Sequence, residues 1–244
     1  MELKLQRLSW LKVSELVPRK IDTVILPVGT VEAHGSDCLG TDNFIPENIA
    51  EGIAERVNAL VAPTLPFGIT KSLQRYAGCI TLKPETFANA VTEIIGSFKQ
   101  AGFKNVIVMN GHGGNNNVLK TVAHDCHRDY TVNVCVIHWW MLCAQMTEEF
   151  FGHVGGHAGT DESAMVQAID ETLVDKDAYD PKQAWYFRPG ADVYPVPGTI
   201  LLYKDGVGAP EYDAEKSRQY REKVIKTVGE FTELVLTRWR QQGL

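Results

Sequence analysis

The sequence is poor in cysteine, in blocks of like charge and in long apolar runs, and each shortage excludes a class of protein. Its five cysteines include no Cys-x-x-Cys pair. An odd, scattered set is typical of free thiols in a reducing compartment rather than of a disulfide framework. No apolar run approaches the roughly 20 residues that a membrane span needs. The charged segment MELKLQRLSW does not have the pattern of a signal peptide. We therefore expect a cytoplasmic protein.

The charge balance argues against nucleic acid or an anionic membrane as the main partner. The 244 residues carry a formal net charge of −6 without a run of like charges, whereas either partner requires a concentrated basic surface. With 44% hydrophobic residues, the chain has the composition of a globular enzyme. Because no linker-like shift in composition is visible, we expect one domain spanning residues 1–244 and a small-molecule substrate.

Apolar runs and helical patterns alternate along the chain. Apolar, β-branched segments predict strands, and apolar residues at helical spacing predict the helices between them. The predicted strands are 23–28, 60–63, 105–109 and 132–139, and the predicted helices are 46–60, 84–102, 118–129, 163–169 and 214–242. Segment 184–207, rich in proline, glycine and aromatic residues, is expected to be irregular surface or an arm. This order of elements predicts a layered α/β/α fold around a mainly parallel sheet.

Segment 28–42, VGTVEAHGSDCLGTD, concentrates groups that bind metals. It follows the first predicted strand and holds Glu32, His34 and Asp42 among glycines and threonines that favour open backbone. Carboxylate oxygens and imidazole nitrogens are the donors that Zn²⁺, Mn²⁺ or Fe²⁺ take in proteins. We predict that this loop forms half of a metal site.

Two later segments offer the other half. His112 lies in NGHGGNNN directly after a predicted strand, and His157, Asp161 and Glu162 lie in a glycine-rich segment further along the chain. In open α/β sheets, ligands bind outside the carboxyl ends of the strands. Five or six donors from separate loops suit two metals better than one. A carboxylate such as Asp42 could bridge the ions and hold a shared hydroxide as the nucleophile.

Each segment also has a structural interpretation. A single Glu-x-His loop is a weak signal, and Asn-Gly-His-Gly-Gly is compatible with a tight turn and a helix cap. A glycine-rich segment before a helix could hold a phosphate, although no lysine or Gly-x-Gly-x-x-Gly spacing supports a nucleotide fold. Glu162 could stabilise a helix amino terminus, and Cys38 has no base fixed beside it for thiol chemistry. The joint occurrence of three such segments favours the metal site.

Four motifs resemble those of the creatininase (creatinine amidohydrolase) family. They are LPVGTVEAHG with the later GTD, MNGHGGN, GGHAGTDES and a weaker GVGAPEYDAEKS, in the family's order over most of the chain. The resemblance implies an α/β fold with a mainly parallel sheet between helices. It also implies a dinuclear-metal hydrolase of C–N bonds in small cyclic amides or formamides. Two divalent ions (Zn, Mn or Fe) per subunit and a homo-oligomer, commonly a hexamer, belong to the same expectation.

The resemblance implies a role for each matching residue. Glu32 and His34 correspond to ligands of different metals, and Asp42 corresponds to the bridging carboxylate. His112 corresponds to the ligand that shares the metal of Glu32. His157, in the His-Ala-Gly motif, corresponds to the family's catalytic histidine, which would give a proton to the leaving nitrogen.

Two positions depart from the family pattern. Creatininase has a second ligand glutamate two residues after the histidine of Asn-Gly-His, where this chain has Gly114. We therefore assign the fifth ligand role to Glu162. Segment 36–39, Ser-Asp-Cys-Leu, lacks the second histidine and the proline of the more usual HGPHLP and is one residue shorter. Creatinine itself is therefore not the expected substrate.

The pocket wall and the reaction are expectations of the same kind. We expect Tyr76 and Trp139 to contact the substrate, with Trp140 and Lys71 as further candidates. The first hypothesis is hydrolysis of a small cyclic or formyl amide. The second keeps the metals but hydrolyses a C–C bond or opens the ring of a cyclic polyol ketone, and the third is a non-catalytic binding protein. The ligand set together with His157 favours the first.

Overall fold

A four-stranded parallel sheet forms the centre of the molecule. The structure is a computed structural model and describes residues 1–188, 190–210 and 212–244. The strands are β1 (Thr23–Val28), β2 (Ala59–Val61), β3 (Asn105–Asn110) and β4 (Asn133–His138), in the spatial order β2-β1-β3-β4. Strands β1 and β3 pair along their whole length, with Val28 opposite Asn110. The loops that follow these two strands therefore leave the sheet side by side.

Helices cover both faces of the sheet. They are α1 (Trp10–Leu16), α2 (Thr41–Ala54), α3 (Pro84–Ala101), α4 (Asn116–Tyr130), α5 (Trp139–Leu142), α6 (Ala144–Phe151), α7 (Thr160–Ile169) and α8 (Ala214–Gln241). On β1, Val24 and Leu26 pack in the core formed with α3 and α4, whereas Ile25 lies in the core formed with α2, α7 and α8. This alternation follows the two-residue period of a strand buried on both faces. The layered α/β/α prediction is confirmed.

Helix α3 has the bounds that its sequence predicts. It begins at Pro84, whose fixed φ suits the first helical position, and it ends before Gly102, which adopts a left-handed φ of 104°. None of the helices in the described ranges is long and apolar enough to cross a membrane.

The two helices that carry candidate ligands begin earlier than predicted. Helix α2 begins at Thr41 rather than at residue 46, and Pro46 lies inside it. The prediction took Pro46 for the first helical residue, but the acidic side chain of Asp42 in the first turn favours the earlier start. Helix α7 begins at Thr160 rather than at residue 163 and has two acidic residues in its first turn. Asp42 and Glu162 are therefore held on rigid helical turns and not on loops.

The segment 184–207 is more ordered than predicted. It contains two short parallel strands, β5 (Ala184–Tyr186) and β6 (Ile200–Leu202). Leu201 exchanges two backbone hydrogen bonds with His157, at 2.9 and 2.8 Å. The expectation of irregular structure is wrong for β5 and β6, because a pairing between residues 16 apart in the sequence leaves no local periodicity.

Candidate metal centre

The candidate site lies where β1 and β3 end. The loop after β1 carries Glu32 and His34, the first turn of α2 carries Asp42, and the loop after β3 carries His112. All four side chains are buried. Since the two strands are paired neighbours in parallel, their carboxyl ends bring these residues to one place.

Glu32, Asp42 and His112 form a first group of three converging donors. Nδ1 of His112 lies 2.8 Å from Oδ2 of Asp42 and 3.1 Å from Oε1 of Glu32. The contact with Asp42 is short but not aligned as a hydrogen bond, since Oδ2 of Asp42 has no hydrogen-bond partner in the described structure. Nε2 of His112 donates to the carbonyl oxygen of Ile69 over 2.9 Å, so Nδ1 is the ring nitrogen left to face the two carboxylates. The ligand atoms of the group lie within 4.8 Å of one another.

His34, Asp42 and Glu162 form a second group of the same kind. Nε2 of His34 lies 3.0 Å from Oδ1 of Asp42 and 3.7 Å from Oε2 of Glu162. Nδ1 of His34 donates to the backbone carbonyl of Glu32 over 3.0 Å, which directs Nε2 at the two carboxylates. Asp42 thus offers one carboxylate oxygen to each group. A carboxylate shared between two sites is the arrangement that bridges a pair of metal ions.

His157 lies beside both groups. Its Nε2 donates to the backbone carbonyl of Ala33 over 2.8 Å, and its Nδ1 lies 3.5 Å from Oε1 of Glu32. Its ring centroid is 4.1 Å from that of His34. Burial, together with the nearby charge on His34, lowers the pKa of His157 to about 4. Near neutral pH the ring is uncharged, and its bare Nδ1 can accept a proton. Glu32, His34 and His157 also form a third convergent group, so this ring is close enough to act as a ligand.

The buried carboxylates and histidines of the site shift one another's pKa values. Burial alone would raise the pKa of Glu32, but the positive charge and the hydrogen bond of His112 outweigh it and hold this pKa below its ordinary value. Burial alone would lower the pKa of His34, yet the carboxylates of Asp42 and Glu162 hold it well above its ordinary value. Burial also raises the pKa of Glu162 well above its ordinary value. Buried carboxylates need compensating positive charge, which here comes from the histidines or from bound cations.

Glu162 is anchored by the segment that carries His157. Its Oε2 accepts a hydrogen bond of 2.6 Å from the backbone N–H of Ala158. The neighbouring Asp161 accepts one of 2.9 Å from the backbone N–H of Gly156, and burial raises the pKa of Asp161 to about 6. Helix α7 therefore fixes the preceding turn as well as the ligand. Asp161 itself belongs to none of the convergent groups found among the described residues.

No side chain would fit at Gly114. A Cβ atom there would overlap the carbonyl oxygen of Ile69 and Nε2 of His112. A glutamate at this position would require the hydrogen bond between those two residues to move. The second group instead receives its third donor from Glu162, which approaches from helix α7.

Sequence reasoning missed two asparagines that hold the site together. Asn115 is fully buried; its Oδ1 accepts from the N–H of Ile69 at 3.0 Å, and its Nδ2 donates to the carbonyl of Gly29 at 3.2 Å. Asn110 accepts from the N–H of His112 at 3.2 Å and donates to its carbonyl at 2.8 Å. The asparagines of NGHGGNNN were visible, but only the fold tells which of them link separate loops.

A cavity of about 810 Å³ opens onto the candidate site. Its lining includes Glu32, Asp42, His112, His157 and Glu162. Ligand pockets of about 300–1,000 Å³ bury drug-sized molecules, so the space suits a substrate in contact with the carboxylates.

The residues expected to contact the substrate do not line the cavity, with one exception. Trp139 is fully buried in the core, and Tyr76 donates to the carbonyl of Val196 at 2.9 Å. Neither of them, nor Lys71, lines the cavity, whereas Trp140 does. Sequence reasoning did not find the aromatic residues that segment 184–207, here called the arm, contributes to the lining. These are Trp185, Phe187, Tyr194 and Tyr203.

Comparison with known proteins gives relatives over most of the chain. A family model described as creatininase, creatinine amidohydrolase, matches residues 6–232. The creatinine amidohydrolase of Pseudomonas putida is 28% identical over 226 residues, which cover 81% of this chain and 85% of that protein. A 3-dehydro-scyllo-inosose hydrolase of Thermotoga maritima is 31% identical over 97 residues, which cover 39% of this chain and 31% of that protein.

Solved structures show the same fold. A crystal structure of creatinine amidohydrolase superimposes with a TM-score of 0.80 at 24% identity, covering 94% of this chain and 96% of that one. A structure described as creatininase Mn superimposes with a TM-score of 0.81 at 24% identity, covering 94% of this chain and 97% of that one. A creatininase variant described as of Zn-Zn type superimposes with a TM-score of 0.80 at 24% identity, covering 94% of this chain and 96% of that one. The fold prediction is confirmed, and these two descriptions name Mn and Zn.

Proposed function

The chain belongs to the creatininase family, and from that premise we propose that it is a dinuclear metal-dependent amidohydrolase. The reaction is hydrolysis of a C–N bond in an amide, which yields a carboxylic acid and an amine. The observation that carries this proposal is the sharing of Asp42 between two groups of convergent donors, each completed by one histidine and one further carboxylate. Such donors on separate rigid elements are what a two-metal site requires.

Each group would hold one divalent ion. Glu32, Asp42 and His112 would bind the first ion, and His34, Asp42 and Glu162 the second. Zn, Mn and Fe all suit nitrogen and oxygen donors of this kind. When bound, the ions supply a water of lowered pKa and a Lewis acid for the carbonyl oxygen. The backbone carbonyls that accept from His34 and His112 fix the ring orientations, as outer partners of metal-binding histidines do.

His157 transfers the proton. Its Nε2–H is held by the carbonyl of Ala33, so Nδ1 is the atom that faces the reacting groups. With a pKa of about 4 without metal, Nδ1 is unprotonated and takes a proton from the attacking water. The same atom then gives this proton to the leaving nitrogen, which cannot depart as an anion near neutral pH. The contact with Glu32 stabilises the imidazolium that forms between these two steps.

Product analysis of the metal-loaded protein tests this function. The protein is incubated with creatinine, with a lactam and with N-formylglycine, and the products are followed by NMR. We expect at least one of these amides to give an amine and a carboxylate, with a rate that falls to background on chelation. Failure of every amide, or turnover that chelation does not reduce, would remove the amidohydrolase function.

A second function is supported by one relative. The partial match to a 3-dehydro-scyllo-inosose hydrolase favours hydrolysis of a C–C bond or ring opening in a cyclic polyol ketone at the same metals. A cyclic polyol ketone added to the NMR panel discriminates the two functions. Turnover of the ketone without turnover of any amide would favour this second function.

We also propose that the protein is a homo-oligomer, a hexamer by resemblance to the family. Trp10 and Leu11 on helix α1 are 77% and 56% exposed, and large apolar side chains in such positions suit a contact between subunits. Light scattering coupled to gel filtration measures the mass. A monomeric mass at micromolar concentration would exclude the assembly.

A further inference from the structure

The cavity is much larger than the amides of the creatininase type that the resemblance implies. The candidate ligands form part of its lining, and the arm around β5 and β6 forms another part. A cavity of about 810 Å³ lies in the upper part of the range of about 300–1,000 Å³ that buries drug-sized ligands. A small cyclic amide at the metals would leave most of this space to water.

Aromatic side chains make up the arm's part of the lining. Phe187, Tyr194 and Tyr203 line the cavity and yet are 42%, 68% and 61% exposed. The ring centroids of Phe187 and Tyr203 lie 5.1 Å apart, with the ring planes tilted by 31°. Exposed apolar groups scattered singly need no explanation, but a contiguous patch marks a binding surface. Here the patch faces the same space as the candidate metal ligands.

One cation accompanies these rings. Among the described residues, Arg188 is the only lysine or arginine on the lining of the cavity, and its guanidinium makes no ion pair or hydrogen bond with any of them. At the metal end of the cavity, Glu32, Asp42 and Glu162 contact the histidines, and Asp192 is on the lining in the same segment as Arg188. An unpaired guanidinium beside aromatic faces suits a substrate carboxylate, which it can bind through two parallel hydrogen bonds.

We propose that the substrate is an N-acyl compound whose amine side carries a large aromatic or apolar group and a carboxylate. The scissile amide lies at Asp42 and His157, the apolar group packs on Phe187 and Tyr203, and the carboxylate pairs with Arg188. Water adds to the carbonyl carbon, the C–N bond breaks, and the nitrogen leaves with a proton as the free amino acid. This substrate class presupposes the amidohydrolase function proposed above and adds its specificity.

Three formyl compounds separate the contributions of the ring and the charge. They are N-formyl-L-phenylalanine, N-formylglycine, which lacks the ring, and N-formyl-L-phenylalaninamide, which lacks the carboxylate. For the metal-loaded protein we expect kcat/KM for the first to exceed that for the second by about tenfold or more, as stacking on aromatic faces allows. We expect it to exceed that for the third by about fivefold, the value of a partly exposed charged hydrogen bond.

Matched variants identify the residues that produce these preferences. Phe187→Ala should reduce the preference for the ring, and Leu234→Ala, which removes an exposed apolar side chain outside the cavity, should leave it unchanged. Arg188→Gln should abolish the preference for the acid over the amide but keep the preference for the ring. Arg238→Gln on helix α8 is the control for loss of a surface guanidinium. All four positions are at the surface, so circular dichroism should show the fold of the wild type.

The outcomes separate this substrate class from the function on which it depends. Equal turnover of N-formylglycine and N-formyl-L-phenylalanine would overturn the substrate class and leave the amidohydrolase intact. If no compound is hydrolysed, binding of the same compounds is measured by calorimetry. N-formyl-L-phenylalanine should then bind more tightly than the other two, and Phe187→Ala and Arg188→Gln should both weaken its binding. Equal binding of the three compounds would overturn the specificity. A change of oligomer mass in Phe187→Ala with unchanged preference would make the patch a subunit contact and would also overturn it.

Discussion

His112 donates its Nε2–H to the carbonyl oxygen of Ile69 over 2.9 Å. This one hydrogen bond determines which ring nitrogen is free, because a carbonyl can only accept. Nδ1 of the histidine is thereby left as a donor atom for a metal. The position of a backbone carbonyl 43 residues away in the sequence thus decides whether the first group of ligands can form.

Asn115 holds that carbonyl in place, so its loss should weaken metal binding. Asn115→Ala removes hydrogen bonds to the N–H of Ile69 and to the carbonyl of Gly29. We expect metal affinity to fall about 10–100-fold, as for other outer partners of metal sites, and the free energy of unfolding to fall by about 1–3 kcal/mol. Competition with a fluorescent chelator measures the first and urea unfolding the second.

The matched control is Asn117→Ala, an exposed position in the same motif. It should change neither the metal affinity nor the free energy of unfolding. Equal metal affinity in Asn115→Ala and the wild type would show that Ile69 does not need this support.

Asp42→Asn should affect both ions at once. Its two carboxylate oxygens face different histidines, at 3.0 Å for His34 and 2.8 Å for His112. A neutral amide keeps the shape but removes the charge that bridges the groups. We expect bound metal, measured by mass spectrometry of the elements, to fall below one ion per chain, and hydrolysis to fall at least about 100-fold. Loss of one ion with the other bound at full affinity would show that Asp42 serves a single site.

His157→Gln should separate proton transfer from metal binding. The variant keeps a polar side chain but cannot carry a proton between water and nitrogen. We expect kcat to fall about 10²–10⁴-fold, the usual contribution of a general acid–base, while the metal content stays that of the wild type. His124→Gln, at an exposed histidine, is the control. Metal loss in His157→Gln would instead place this ring among the ligands of the third convergent group.

Asp37 should make the protein less stable as the pH rises. Both of its carboxylate oxygens are buried without a hydrogen-bond partner in the described ranges, and burial raises its pKa from 3.8 to about 7. Between these values the folded state holds a proton that the unfolded state has lost, so the free energy of unfolding falls with rising pH. Asp37→Asn removes this dependence. We expect it to stabilise the protein more at pH 8 than at pH 5, by about 2–3 kcal/mol.

Urea unfolding of the metal-free protein at the two pH values measures this effect. Asp177→Asn, at an exposed carboxylate, should have no such pH dependence. An equal effect of Asp37→Asn at both pH values would show that Asp37 titrates normally.

Strands and long helices were predictable because their signals are local. The bounds of α3 follow from Pro84 and Gly102, and the burial of β1 follows from its unbroken apolar run. The start of α2 was not predictable from Pro46, since a proline also occurs inside a helix when the surrounding structure accommodates it. That error placed Asp42 on a loop, although it lies on a helical turn.

The candidate ligands could be named from the sequence because their donor types are unusual together in short glycine-rich segments. The residues that form the wall of the cavity could not be named in this way. Trp139 and Trp140 are adjacent in one short helix, and only the packing of β4 against its neighbours decides which ring faces the core. Asn115 and the arm's aromatic residues act through contacts with distant segments, which leave no periodic pattern in the sequence.

Metal dependence is the most direct test of the central claim that Asp42 joins two metal sites in a hydrolase. The protein is stripped with a strong chelator and reloaded with Zn²⁺, Mn²⁺ or Fe²⁺, and metal content and amide hydrolysis are measured on the same samples. We predict that hydrolysis disappears in the stripped protein and returns in full only as the second ion per chain is bound. Full activity in protein that contains no metal, or full recovery with one ion per chain, would contradict it.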